Sequence, residues 1–333
     1  MGKITYINST KPEIELPAYR GQTDEVMVPD TLDLQDMAGI GVNGLTGPTD
    51  PEADYEIYWK ASFNANQKPI MWHSDPADVT ILAKFAESLP LLRLISGSDQ
   101  DQHVEQRWLE VLRQMQGPNG LLYAPKVGRP WCVWDFKKYA PWCNGEDSQG
   151  DHYVCPFLGG RALGVMTLYY LLTEDPQWKN AGRKLADGFE NLAVADGKKA
   201  HLPVTDAQNP GTDRPSALSH KSCIQGLANY ARYAKYEPAL DLAGKLARWV
   251  MEDFDYYGPD GQFLEEYPGA SHVHFHGRSG VHFHGHTGLL VALLDYGTIS
   301  GDQEAVDFAH RGFRYGMTQG DTILGCFPEW LDV

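Results

Sequence analysis

The 333-residue sequence predicts an all-α fold, an (α/α) toroid of helical hairpins, and three observations carry that expectation. Paired helical segments recur at a spacing of about 65 residues. In each pair the first segment is apolar nearly all round, and the second carries one apolar stripe at helical spacing. That is the pattern of an inner helix covered on both sides and an outer helix with one wet face. Turns within pairs are short, whereas connections between pairs are long. Four pairs and one extra helix fall short of the six hairpins of a closed ring. An incomplete (α/α)6 toroid is therefore expected, with short β-hairpins in the long connections. An irregular helical bundle or an α-solenoid is the alternative. Helices apolar on every face need cover on both sides and favour the toroid.

Residues 1–29 read as an N-terminal extension and residues 30–333 as the toroid domain, cut short at its C-terminal end. A first, poorer helix is expected within DTLDLQDMAGIGVNGL, residues 30 to 45. The first hairpin spans about 78 to 115, turning at Ser96-Gly97-Ser98-Asp99, with Val104, Trp108, Val111 and Met115 as the outer stripe. The second has an apolar inner helix at 158 to 172 and turns at Asp175-Pro176, proline being at home in a first helical turn. Its outer stripe is Trp178, Ala181, Leu185, Phe189 and Leu192. The third spans about 218 to 254, turning near Tyr236-Glu237-Pro238, with Leu242, Leu246, Trp249 and Phe254 as its stripe. The fourth spans about 287 to 317, turning at Ser300-Gly301-Asp302, with Val306, Ala309, Phe313 and Met317 as its stripe.

Composition narrows the function. Hydrophobic content of 42% and charged content of 22% are ordinary for a globular protein. A net charge of −16 argues against nucleic acid and against an anionic membrane surface. No run of eighteen apolar residues is present, and the N-terminus has no apolar signal core. Cys132, Cys143, Cys155, Cys223 and Cys326 form no CxxC pair, which suits a reducing, cytoplasmic location. Nine Trp and seventeen Tyr suit a protein that stacks flat rings on sugars, so the expected partner is a carbohydrate. Oligomeric state is left open.

The long connections (117 to 156, 196 to 217, 255 to 286, and 320 onward) all emerge at one end in an up-down helical order. Each leads into the N-terminus of an inner helix, where free N–H groups and the macrodipole favour anionic groups. The first connection holds Trp131, Trp134, Trp142, Asp135, Glu146, Asp147, Asp151, His152 and three cysteines. It reads either as a sugar-binding wall or as a loop packing its own aromatics. The third ends in HVHFHGRSGVHFHGH, residues 272 to 286, with six histidines. Strand alternation would put His272, His274 and His276 on one face, and His282, His284 and His286 on one face, with Arg278-Ser279-Gly280 turning between them. Metal binding, substrate hydrogen bonding and a purely structural hairpin are all open to it, and Thr287 is the expected helix cap. No cofactor is required, and zinc is the metal such histidines could take.

Glycosidic cleavage needs a carboxyl group on each side of the bond, or one carboxyl group and another nucleophile. Asp135, Asp147, Asp151, Asp206, Glu265, Glu266 and Glu329 lie on the long-connection face. Of these, Glu329, Asp151 and Glu265 are the catalytic candidates. Glu329 in GCFPEW has hydrophobic neighbours that could raise its pKa. Trp131, Trp134, His152, His220, His282, His284, His286 and Arg278 are the substrate-binding candidates.

The segments KFAESLPLLRLISGS (84 to 98), GRALGVMTLYYLLTEDPQW (160 to 178), HFHGHTGLLVALLDYGTISGD (282 to 302) and GCFPEW (325 to 330) resemble the superfamily that includes the β-L-arabinofuranosidases of glycoside hydrolase family 127. The resemblance covers most of the chain through its toroid grammar. It implies an (α/α)6 toroid followed by β-sandwich domains, a cysteine nucleophile, and a zinc ion held by one glutamate and three cysteines. Glu329 is the position similar to the family's zinc-binding glutamate, whereas Cys155 and Cys326 match none of its cysteines. The expected function is a carbohydrate-active enzyme, a glycoside hydrolase acting on a plant- or bacterial-type oligosaccharide. The alternatives are a polysaccharide lyase on a uronate polymer, with Arg129, Lys126 and Arg278 available to the carboxylate, and a non-catalytic glycan-binding or scaffold protein.

Overall fold

The structure, a computed structural model, describes residues 33–73, 78–125, 152–154, 156–203, 217–264, 281–321 and 323–331. Helix α1 (Leu34–Thr46) stands alone. Four hairpins follow: α2 (Asp78–Ser96) with α3 (Gln102–Gln114), α4 (Pro156–Thr173) with α5 (Pro176–Leu192), α6 (Ala217–Ala234) with α7 (Glu237–Glu252), and α8 (Phe283–Ser300) with α9 (Gln303–Met317). Helices α2, α4, α6 and α8 pack side by side in that order, α1 lies against α2, and each outer helix covers its own partner. This is a toroid of helical hairpins.

Helix α4 is buried on more than one side because most of its sequence offers no wet face. In α4, Leu158, Ala162, Leu163, Val165, Met166 and Tyr169 have no exposed surface, although they point to opposite sides of the helix. Each such leucine contributes about 1.5–3 kcal/mol through burial. The first three outer stripes pack inward as their spacing requires: Trp108, Leu185, Phe189, Leu242 and Leu246 are buried. The fourth is a correction. Phe313 and Met317 are 58% and 54% exposed, and the inward face of α9 is instead Ala305, Ala309, Gly312 and Gly316. Small residues win there because α9 approaches α8 and Phe263 closely: a Cβ on Gly312 would sit 2.7 Å from a Leu290 methyl.

Each inner helix ends in one residue of positive φ, namely Gly97 (68°), Glu174 (56°), Lys235 (58°) and Gly301 (79°). The outer helix then starts on an aspartate cap at Asp175 and Asp302, whose carboxylates accept from Gln177 N and Ala305 N. Helices α4 and α6 touch backbone to backbone. A Cβ on Gly226 would lie 2.3 Å from the Gly160 carbonyl oxygen, and one on Gly160 would lie 2.4 Å from Ser222 C.

Strands occupy the connections. β1 (Thr49–Asp50), β2 (Glu56–Asn64) and β3 (Gln67–His73) form an antiparallel sheet in that order, in a region where the sequence pattern had suggested no element. β4 (Tyr123–Pro125) pairs with β5 (His152–Val154), and β6 (Val194–Asp196) with β7 (Lys199–His201). β8 (Val281–His282) pairs with β9 (Trp330–Leu331). Among the described residues no helix is long and apolar enough to cross a membrane. The expected extension at residues 1–29 lies outside the described residues.

Candidate functional site

The N-terminal halves of the inner helices converge on a charged cluster. Lys84 and Glu87 come from α2, Arg161 from α4, Lys221 from α6 and His284 from α8. Arg161 Nη1 lies 3.8 Å from Glu87 Oε2, a loose ion pair between half-buried side chains. Lys221 is only 8% exposed and has no hydrogen bond or ion pair among the described residues. Its side chain runs along α8 at Gly288, where an added Cβ would be 2.3 Å from Nζ. The missing side chain at 288 therefore makes the room for the ammonium.

The electrostatics follow from this crowding. Burial, and then Arg161 and Lys84, push the Lys221 pKa down to about 8. Burial lowers Lys84 and Arg161 as well, with Arg161 acting on Lys84 and Glu87 partly offsetting the effect on Arg161. Glu87 moves the other way: burial raises its carboxyl pKa and Arg161 opposes the rise. His284 keeps solvent access, yet desolvation by the protein around it lowers its pKa. Lys221, Lys84 and Arg161 lower it further, and Glu329 pulls against them. At neutral pH the cluster thus offers cations, a neutral imidazole and a carboxyl group whose pKa burial raises.

Above it, the C-terminal strand β9 crosses the start of α8. His282 stacks on Trp330 at 4.6 Å and meets His284 edge-on at 5.4 Å. Phe283 stacks on Phe327 at 5.1 Å, and its backbone N–H donates to Glu329 O at 3.0 Å. This strap brings Glu329 and Trp330 beside the histidines.

The histidine-rich stretch is rearranged relative to expectation. Its second His-Phe-His-Gly copy is not a strand but the first turn of α8, with His282 as the cap residue. Helical spacing, not alternation, then decides its neighbours. Thr287 is inside the helix and donates from Oγ1 to Phe283 O, so it does not cap it. His286 faces the core: it is fully buried, stacked on Tyr256 at 3.6 Å and on Phe263 at 4.8 Å. Both ring nitrogens reach carbonyl oxygens, Nδ1 at 2.9 Å from His282 O and Nε2 at 2.8 Å from Leu264 O. His220 is likewise fully buried. It accepts from Leu202 N through Nε2 and stacks on Trp249 at 4.9 Å, tying the end of β7 to α6. Neither ring lines an open surface, because each is enclosed by aromatic neighbours.

Glu329 is exposed, not enclosed by its hydrophobic neighbours as expected, and Cys326 is also exposed. His152 lies in β5, paired with Pro125. Trp131, Trp134, Asp151, Glu265 and Arg278 lie outside the described residues, as do Lys126, Arg129, Asp135, Trp142, Glu146, Asp147, Asp206, Glu266, His272, His274, His276 and three of the cysteines. Among the described residues no group of three or more His, Cys, Asp and Glu is arranged to hold a metal ion. They therefore do not form the zinc set that the family resemblance implies. Sequence reasoning missed Lys84, Glu87, Arg161 and Lys221. Their signal was present: each is a charge in the N-terminal half of an inner helix.

No family model matches the sequence, and no curated protein matches it. Solved structures do match the fold. An inactive variant of an alpha-1,6-mannanase of glycoside hydrolase family 76 from Salegentibacter sp. HEL1_6, in complex with alpha-1,6-mannotetrose, aligns with 87% of this chain and 72% of its own at 11% identity, with a TM-score of 0.54. A family 76 glycoside hydrolase from a bovine Bacteroides thetaiotaomicron strain aligns with 86% of this chain and 57% of its own at 10% identity, with a TM-score of 0.56. A D-mannose isomerase aligns with 95% of this chain and 76% of its own at 13% identity, with a TM-score of 0.59. At these identities the likeness is one of fold: the chain is built as the kind of helical toroid found in glycoside hydrolases.

Proposed function

We propose that the protein is a carbohydrate-active enzyme, a glycoside hydrolase whose substrate enters where the inner helices begin. One observation carries this reading. The N-terminal halves of the inner helices place Lys84, Glu87, Arg161, Lys221 and His284 together, beneath an aromatic strap of His282, Phe283, Phe327 and Trp330. Isolated charges in a core are costly, so a cluster of them signals work on a polar ligand. Aromatic faces beside such groups suit the apolar faces of sugar rings.

In this proposal Glu87, whose carboxyl pKa burial raises against the pull of Arg161, is the proton donor to the leaving oxygen. Glu329 is the second carboxylate, with Asp151 and Glu265 as further candidates, and Trp131, Trp134, His152, His282, His284 and Arg278 contribute to the wall. Assignment to family 127, its zinc site at Glu329, and a cytoplasmic location are finer parts of the same proposal. The proposal is tested by incubating the protein with a broad panel of aryl glycosides and oligosaccharides and following sugar release by chromatography. Release from at least one member is expected. A panel with no turnover overturns the hydrolase reading.

A sugar isomerase is the second reading, favoured by His284. Its lowered pKa keeps the imidazole neutral and able to take a proton from carbon beside an aldose carbonyl. Conversion of free aldoses to ketoses without hydrolysis of any glycoside would select it.

A further inference from the structure

We infer that Lys84, Arg161 and Lys221 form a subsite for an oxyanion carried on the sugar: the carboxylate of a uronate, or a sulfate or phosphate ester. This rests on the carbohydrate reading and narrows its substrate class.

Five observations point to it. The chain as a whole carries a net charge of −16, so three cations gathered from three different helices run against its overall balance. Burial first, and then the repulsion among them, lowers the proton affinity of Lys84 and Lys221. Among the described residues the acidic side chain inside the cluster is Glu87, which is a poor counter-ion: it stands 3.8 Å from Arg161, and burial raises its pKa. Lys221 is more than nine-tenths buried with no hydrogen bond or ion pair among the described residues, and an ammonium in that state is costly until an anion joins it. Finally, the room for that ammonium depends on the missing side chain at Gly288, so its position is part of the packing of α6 on α8.

The geometry adds to the charge. Four inner helices present their N-termini at this end, and each contributes partial positive charge from its free N–H groups. Neutral sugars have no use for such a field. A carboxylate or ester oxyanion would draw on all three cations, and Arg161 could meet it with two parallel N–H donors. Glu87 on the rim of the same cluster would then sit within one sugar unit of the anion.

The test is calorimetric titration of the full chain with methyl glycosides of glucuronate and galacturonate, their neutral counterparts glucose and galactose, galactose 6-sulfate and glucose 6-phosphate. Inorganic phosphate and acetate are titrated alone. Acidic sugars are expected to bind at least about ten-fold more tightly than neutral ones. Whichever anion binds most tightly identifies the source. In Lys221→Met the ratio of acidic to neutral affinity should fall at least about ten-fold, and Lys84→Met, a half-buried side chain less tied to packing, should repeat the effect. Equal affinity for acidic and neutral sugars overturns the oxyanion subsite while leaving the carbohydrate reading intact. Binding of inorganic phosphate or acetate as tight as that of any acidic sugar overturns the sugar reading instead. A ratio unchanged in both folded variants overturns the assignment to these lysines.

Discussion

His286 shows how placement decides the role of a residue that composition alone leaves ambiguous. Two carbonyl oxygens at its ring nitrogens would favour an imidazolium, because a neutral ring donates to only one of them. Burial opposes the charge and wins, setting the pKa down at about 4. The folded state therefore holds His286 neutral, while the unfolded chain begins to bind the proton below about 6.5. The stability associated with the neutral ring is complete above that pH and is lost as pH falls from 6.5 toward 4. The loss reaches about 3 kcal/mol. Urea unfolding across that window should show a shallower pH slope for His286→Gln than for wild type. Parallel slopes would contradict the assignment. The histidines were conspicuous in the sequence, yet the charged residues that define the site were not. Lys84, Glu87, Arg161 and Lys221 are scattered charges on α2, α4 and α6, and only the side-by-side packing of those three helices brings them together. Strand alternation misplaced His286 because Val281–His282 is a two-residue strand and the chain turns helical at Phe283.

At the scale of the element, the hairpins were legible because two independent signals coincide, an apolar-all-round helix and then a striped one. Their turns carry a cost. Glu174 and Lys235 adopt the left-handed conformation that Gly97 and Gly301 take freely, and a Cβ is strained there. Glu174→Gly and Lys235→Gly should each raise stability by about 0.5–1 kcal/mol in thermal melts. A loss of that size in both would mean the side chains matter more than the backbone. Glycines inside helices divide by what a Cβ would meet. Gly226→Ala drives a methyl onto the Gly160 carbonyl and should cost about 1–3 kcal/mol. Gly44→Ala in α1 meets nothing within 4 Å and should stabilise by about 1 kcal/mol. The same measurement on both variants checks the contrast. The stripe of α9 was misread for a related reason. Hydrophobic periodicity favours Phe313 and Met317, but the close approach to Leu290 and Phe263 admits only Ala and Gly.

The whole molecule is a set of hairpins whose inner helices begin at one end and turn at the other. That arrangement follows from chain order: tight turns at one end force the long connections to the other. A buried ion pair fixes the turn end. Arg93 Nε donates to Glu105 Oε2 at 2.6 Å, and Tyr169 O–H donates to the other oxygen of the same carboxylate, so α2, α3 and α4 are held in register. The long-connection end carries the cluster and the strap. Sequence pattern put its candidate residues on the loops at this end, whereas the charged cluster stands on the helices beneath them. The β1–β3 sheet escaped notice because its strands lie between helices and share no period with the hairpins.

The central claim is that the axial cluster performs the chemistry, and Glu87 is its most exacting residue. The measurement is kcat for Glu87→Gln on the panel substrate that wild type turns over fastest, alongside a thermal melt to confirm the fold. A fall of at least about 100-fold with an unchanged melt is expected of a lost proton donor. A folded variant within about two-fold of the wild-type rate would contradict the account.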